Sequence, residues 1–72
     1  MNYNSLGVIE QKVLGALLIL AEKDNVATAT SELIAHTMGY KSSGGGVTFA
    51  LKILEKDNFI IKIAHKKYKV LI

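Results

Sequence analysis

The sequence predicts a mainly α-helical fold closed by a small β-hairpin. Three observations carry this. A long run of apolar residues at helical spacing fills the first third of the chain. Two shorter segments with helix signals follow, separated by a glycine-containing turn. Residues 59–72 then alternate apolar side chains with lysine around a tight turn, as paired strands do. The chain has 72 residues, and 1–72 read as a single domain. A core of this size tolerates few buried polar groups.

Asn4 or Ser5 caps a first helix over about 6–23, where Ile9, Val13, Ala16, Leu17, Leu20 and Ala21 share a face that Leu14 and Leu18 widen. Lys12, Gly15, Ile19 and Glu22 fall on the other side, and Asp24-Asn25 ends the helix. Val26 to Thr28 is β-branched enough for a very short strand. Thr30 or Ser31 caps a second, two-turn helix, with Glu32 in its first turn, Leu33, Ile34 and Met38 as its buried face, and Gly39 as a left-handed C-terminal cap. Ser42 and Ser43 are good caps for a third helix with Val47, Ala50, Leu51 and Leu54 on its core face, Leu51 at the centre. That helix ends near Asp57-Asn58, where asparagine accepts the left-handed conformation. Phe59, Ile61 and Ile63 alternate with Ile60 and Lys62 as one strand. Residues 64–67, AHKK, turn the chain, and Tyr68, Val70 and Ile72 alternate with Lys67, Lys69 and Leu71 in the return strand.

Composition narrows the function classes. Half of the residues are hydrophobic, so the chain is globular rather than disordered. There is no cysteine, which excludes disulfides and thiolate metal sites and fits a cytoplasmic protein. The N-terminus has no basic region ahead of its apolar run, so it does not read as a signal peptide. The longest apolar run, Ala16 to Ala21, is far short of the ~20 residues of a membrane helix. His36 falls on the exposed side of the second helix, where it is expected to be solvated. Without cysteines or paired carboxylates near His36 or His65, no metal or cofactor is expected. No Ser/His/Asp or paired-carboxylate arrangement suggests an enzyme.

The net charge is +3, unevenly placed. Residues 1–36 hold two lysines against four acids; residues 37–72 hold seven lysines against two acids. Such asymmetry suggests a polyanion-facing surface, and a solvated lysine face is the plainer alternative. All nine basic residues are lysines, which bind phosphate as point charges and lack the bidentate reach of arginine to guanine.

The stretch KSSGGGVT, residues 41–48, has three readings. As a phosphate-binding P-loop it fails: Gly39 and Gly44 have the right separation, but Gly45 stands where the lysine must be. As a linker it fails because both flanks are strongly patterned. As the first turn of the third helix it fits. Glycines there weaken the helix but let its start approach a base edge or phosphate. Alternatively they relieve crowding between helices, with Gly46, nearest the helix interior, as the packing glycine.

A short helix and a longer one joined by a glycine-containing turn form a helix-turn-helix, and the hairpin that follows completes a winged-helix pattern. Residues 30–60, TSELIAHTMGYKSSGGGVTFALKILEKDNFI, resemble the helix-turn-helix core of winged-helix transcription regulators. The resemblance is nearest to the N-terminal domain of LexA-type repressors and more distant to MarR-type regulators. It rests on Glu32 to Ala35, Met38-Gly39, Ser43 and residues 51–60, with EQKVLGALL similar to the family's first helix, and covers about residues 6–63. Asn58 stands where the family usually has glycine, and Gly44 to Gly46 where it has larger polar residues. Nothing within residues 1–72 resembles the LexA-type protease domain or the extra MarR-type dimerisation helix, so neither is expected here.

The resemblance implies a small DNA-binding transcription regulator, a repressor for instance, with its third helix in the major groove of double-stranded DNA. Tyr40, Lys41, Ser42, Thr48 and Lys52 would face the groove. Ser43, Gly44 and Gly45 form the helix start, and Lys62, His65, Lys66, Lys67 and Lys69 of the wing grip phosphates. A second reading is a protein-interaction module that binds a polymerase or replication protein. Missing arginine, the glycine-blunted helix and high hydrophobicity favour it. Exposed Ile19 adds an expectation of homodimers, the Lys-, Ile- and Asn-rich usage suggests an AT-rich genome, and the small size suits a phage or plasmid factor.

Overall fold

The computed structural model describes residues 5–41 and 45–71. The expected caps Asn4, Ser42 and Ser43, together with Gly44 and Ile72, lie outside the described residues. The elements are α1 (Val8–Leu20), a 3-10 turn (Lys23–Asn25), β1 (Val26–Thr28), α2 (Ser31–Thr37), α3 (Gly45–Lys56), β2 (Ile60–Ala64) and β3 (Lys67–Val70). They make a mixed α/β arrangement of three helices and a three-stranded antiparallel sheet in the order β1-β3-β2. The strand content exceeds the expected hairpin because β1 joins it, pairing Val26, Ala27 and Thr28 with Lys69, Tyr68 and Lys67.

Helix α1 is shorter than its periodicity suggests. Gly7, extended at φ −68°, ψ 169°, precedes the first turn in place of a capping serine. At the other end Ala21 turns extended at φ −65°, ψ 137°. The chain then closes a small loop: Glu22 N–H donates to Val26 O at 3.0 Å and Asn25 N–H to Glu22 O at 3.2 Å. Asp24 and Asn25 both take positive φ, 63° and 60°, which short polar side chains tolerate. Val13, Leu14, Ala16 and Leu17 are buried. Leu18 is instead exposed, at the edge of the apolar face.

Thr30 caps α2, its hydroxyl accepting from Leu33 N–H at 3.1 Å. The buried face is Ile34 and Ala35, with Met38 partly buried; Leu33 is exposed, a correction to the expected face. Gly39, at φ 93°, then ends the helix with two reverse bonds, Gly39 N–H to His36 O at 2.9 Å and Tyr40 N–H to Ala35 O at 2.9 Å.

In α3 the expected core face holds: Val47, Ala50, Leu51 and Leu54 are all buried. Leu51 is not the centre of it, because Leu54 is the fully buried leucine. Gly46 is not a packing glycine either. It is exposed, and a Cβ built there meets nothing within 4 Å.

The β2 alternation differs from the expected one. Phe59 precedes the strand and Ile60 enters the core, which turns Ile61 and Ile63 outward. Ile60 pairs with Val70, Ile61 with Lys69, Lys62 with Tyr68 and Ala64 with Lys67; a bulge between Lys62 and Ala64 accommodates Ile63. His65 and Lys66 make the turn, Lys66 at φ 62°. The buried faces of all three helices meet Ala27, Phe59, Ile60 and Val70 in one core, with no buried polar side chain among the described residues.

Candidate nucleic-acid interface

The hairpin turn is tied to the start of α2. Ala29 N–H donates to Lys66 O at 2.8 Å, so the segment entering α2 continues alongside the turn. Helix α3 packs against both α2 and β2. Between these three parts lies an open hollow of about 230 Å³, lined by Ala29, Thr30, Ser31, Thr48, Leu51, Lys62, His65, Lys66 and Tyr68. Four of the residues expected at the site, Thr48, Lys62, His65 and Lys66, therefore come together. The lining has two lysines and a histidine, hydroxyls of Thr30, Ser31, Thr48 and Tyr68, and no carboxylate. Such a surface suits an oxyanion such as a phosphate.

The other expected lysines of the hairpin lie elsewhere. Strand residues alternate between faces. Lys62 and Tyr68 are paired on the helix side of the sheet, so Lys67 and Lys69 point to the opposite side. The hairpin does not concentrate its charge on one surface: Lys62 and Lys66 border the hollow, while Lys67 and Lys69 flank Ile61 on the outer face.

Tyr40 is half-exposed, and the Lys12 ammonium of α1 stands 5.7 Å from the centre of its ring, within cation–π range. That contact places Tyr40 beside α1. Lys41 is exposed, and its carbonyl accepts from His36 Nε2 at 2.9 Å, so His36 is exposed but bonded rather than merely solvated. Gly45 opens α3 and Gly46 follows with open space above it. Ser42, Ser43 and Gly44 lie outside the described residues.

On α3, Thr48, Lys52 and Glu55 follow helical spacing along one flank, and all three are exposed. Burial and the Glu55 carboxylate together raise the Tyr68 hydroxyl pKa above 10.0, burial being the larger cause. Phe49, Lys52 and Lys56 share the outward face, and Phe49 is 64% exposed. Sequence reasoning missed Phe49 and Lys56. The available signal was their spacing from Lys52, off the core face.

Among the described residues, no group of three or more metal-ligating side chains lies together, and no helix is long and apolar enough to cross a membrane. No protein-family model, curated protein or solved structure matches this chain.

Proposed function

We propose that the chain is a winged helix-turn-helix module that binds double-stranded DNA as a transcription regulator, with α2 and α3 as the helix-turn-helix and β2–β3 as the wing. The observation that carries the reading is the convergence of Lys62, His65 and Lys66 with Thr48 around one hollow beside α3. In this reading those groups hold backbone phosphate, and the outward face of α3 enters the major groove. Phe49 there suits a thymine methyl, while Lys52 and Lys56 add charge. The glycines at the start of α3 leave its first turn bare, so the backbone itself comes close to the duplex. With lysine in place of arginine, phosphate contact dominates base readout.

The test is a titration of random-sequence duplex DNA at several salt concentrations. The log of the binding constant should fall linearly with log salt, at about 0.9 per phosphate neutralised. Absence of binding at low salt removes the reading.

One observation favours the second reading, a protein-interaction module. Ile61 and Ile63, both about half-exposed, sit on the edge strand β2. An exposed apolar edge of this kind pairs readily with another chain. Failure to bind duplex DNA, with capture of a replication or transcription protein that Ile61→Lys abolishes, would establish it.

A further inference from the structure

The exposed face of α1 carries an apolar surface that no other element among the described residues covers. Val8 is 69% exposed, Ile19 is 73% exposed and Leu18 is exposed as well. At helical spacing these residues share one face with Gln11, Lys12 and Gly15, and Gly15 is at its centre. The opposite face, Val13 and Leu17, is fully buried, so α1 meets α2, α3, β1 and β3 on the far side from Gly15.

Gly15 has no packing role among the described residues. A Cβ built there meets nothing within 4 Å, and its φ is not in the left-handed region. Glycine is a poor helix former, so a mid-helix glycine in open space weakens the helix with no compensating contact among the described residues. A small residue at the centre of an apolar helix face does have a role where a second helix crosses closely.

The face is also self-complementary, which a two-fold interface requires. If two copies of α1 cross antiparallel with Gly15 against Gly15, then Lys12 of one copy lies over Ile19 of the other, and Gln11 over Leu18. The lysine stem covers Ile19 and its ammonium reaches toward Glu22, which is exposed beyond the end of α1. Two Lys12–Glu22 contacts related by the two-fold axis result. Tyr40, held beside Lys12, extends the apolar border.

We infer that α1 is the dimerisation element of this protein, pairing antiparallel with a second copy of the chain about Gly15. The hollow around Lys62, His65 and Lys66 is lined by other elements and stays open on each copy. The inference does not depend on DNA binding.

Sedimentation equilibrium of the full chain without DNA tests it. The wild type should form dimers at micromolar concentration. Gly15→Gln puts a good helix former where the monomer has room, so its melting should not fall under conditions where both proteins are monomeric, yet dimer affinity should drop more than tenfold. Ile19→Lys should do the same. Lys12→Glu and Glu22→Lys should each weaken the dimer, and together they should restore much of it. A wild type that stays monomeric at high micromolar concentration overturns the inference. So does a dimer that both Gly15→Gln and Ile19→Lys leave intact, which would place the interface elsewhere. Dimer loss with no recovery in the double charge reversal overturns the antiparallel register.

Discussion

Gly39 and Asn58 end their helices in the same way. Gly39 has φ 93° and Asn58 has φ 65°. Each is followed by the same pair of reverse bonds: Gly39 N–H to His36 O and Tyr40 N–H to Ala35 O after α2, and Asn58 N–H to Glu55 O and Phe59 N–H to Leu54 O after α3. The second cap does more for the fold, because it delivers buried Phe59 directly into the core. Left-handed backbone costs an ordinary L-residue ~1–2 kcal/mol, which asparagine partly and glycine wholly avoids. Asn58→Ala should therefore destabilise by ~1 kcal/mol, while Asn58→Gly should be neutral or mildly stabilising. A urea midpoint below wild type for Asn58→Ala and at or above it for Asn58→Gly bears this out; equal losses in both would mean that the asparagine side chain, not its φ, is what matters.

Leu54→Ala should be more damaging than Leu51→Ala. Leu54 is fully enclosed, whereas Leu51 keeps 8% of its surface where it borders the hollow. Truncating an enclosed leucine costs ~2–5 kcal/mol, depending on the cavity left. In a domain of this size ~1 kcal/mol moves the melting temperature by about 4–8 °C, so the two variants separate clearly in thermal melts. The reverse order would place the centre of the core nearer the hairpin.

What the sequence left illegible follows from how burial is decided. Helix existence, the caps at Thr30, Gly39 and Asn58, and the core face of α3 all rest on local chemistry, and local chemistry is printed in the sequence. The phase of β2 is not local. Phe59, Ile60, Ile61 and Ile63 are all apolar, so either alternation reads as a strand, and the cap at Asn58 settles it by taking Phe59 out of the strand. Leu33 and Ala35 show the same limit. The larger residue looked like core, but helix geometry turned the smaller one inward. At the site, the lysine cluster was visible as composition. Its division between two sheet faces required the pairing register, which puts Lys62 opposite Tyr68 and Ile61 opposite Lys69.

Alkaline pH should weaken the fold through Tyr68. Burial, and then the Glu55 carboxylate, favour the neutral phenol in the folded protein, which lifts its pKa above 10.0. The folded state thus holds this proton more tightly than the unfolded chain does. That contribution is fully present below pH 10.0 and is lost as pH rises through the higher folded-state value. Tyr68→Phe should flatten this part of the stability–pH curve, and Glu55→Gln should bring the phenol back toward its ordinary value. Both can be followed by urea unfolding and phenolate absorbance. Identical alkaline slopes for wild type and Tyr68→Phe would discount the effect.

Gly46 separates folding from binding. Its helical position has open space above it, so Gly46→Ala should stabilise the free protein by up to ~1 kcal/mol. Gly46→Glu should keep the fold, since a carboxylate in the first turn suits the helix dipole. If the start of α3 lies against DNA, the same charge should cost ~1–3 kcal/mol of binding. Paired melts and DNA titrations read both quantities. Stability kept and affinity kept in Gly46→Glu would take this end of α3 away from the duplex.

The two faces of the sheet give the sharpest test of the proposed interface. Lys62 faces the hollow beside α3 with His65 and Lys66, and Lys69 lies on the opposite side next to Ile61. Both are exposed lysines on one hairpin, so their removal changes net charge equally and neither should disturb the core. A diffuse electrostatic attraction to DNA would feel the two losses alike. A seated phosphate would not: Lys62→Ala should weaken binding across all sequences and reduce the salt slope by about 1, while Lys69→Ala leaves the slope unchanged. Running both variants against one random duplex over one salt series isolates the face that meets DNA. Equal effects would reduce the hollow to part of a generally basic surface. A larger effect from Lys69→Ala would move the nucleic acid to the outer face of the sheet, where Ile61 and Ile63 would then lie against it.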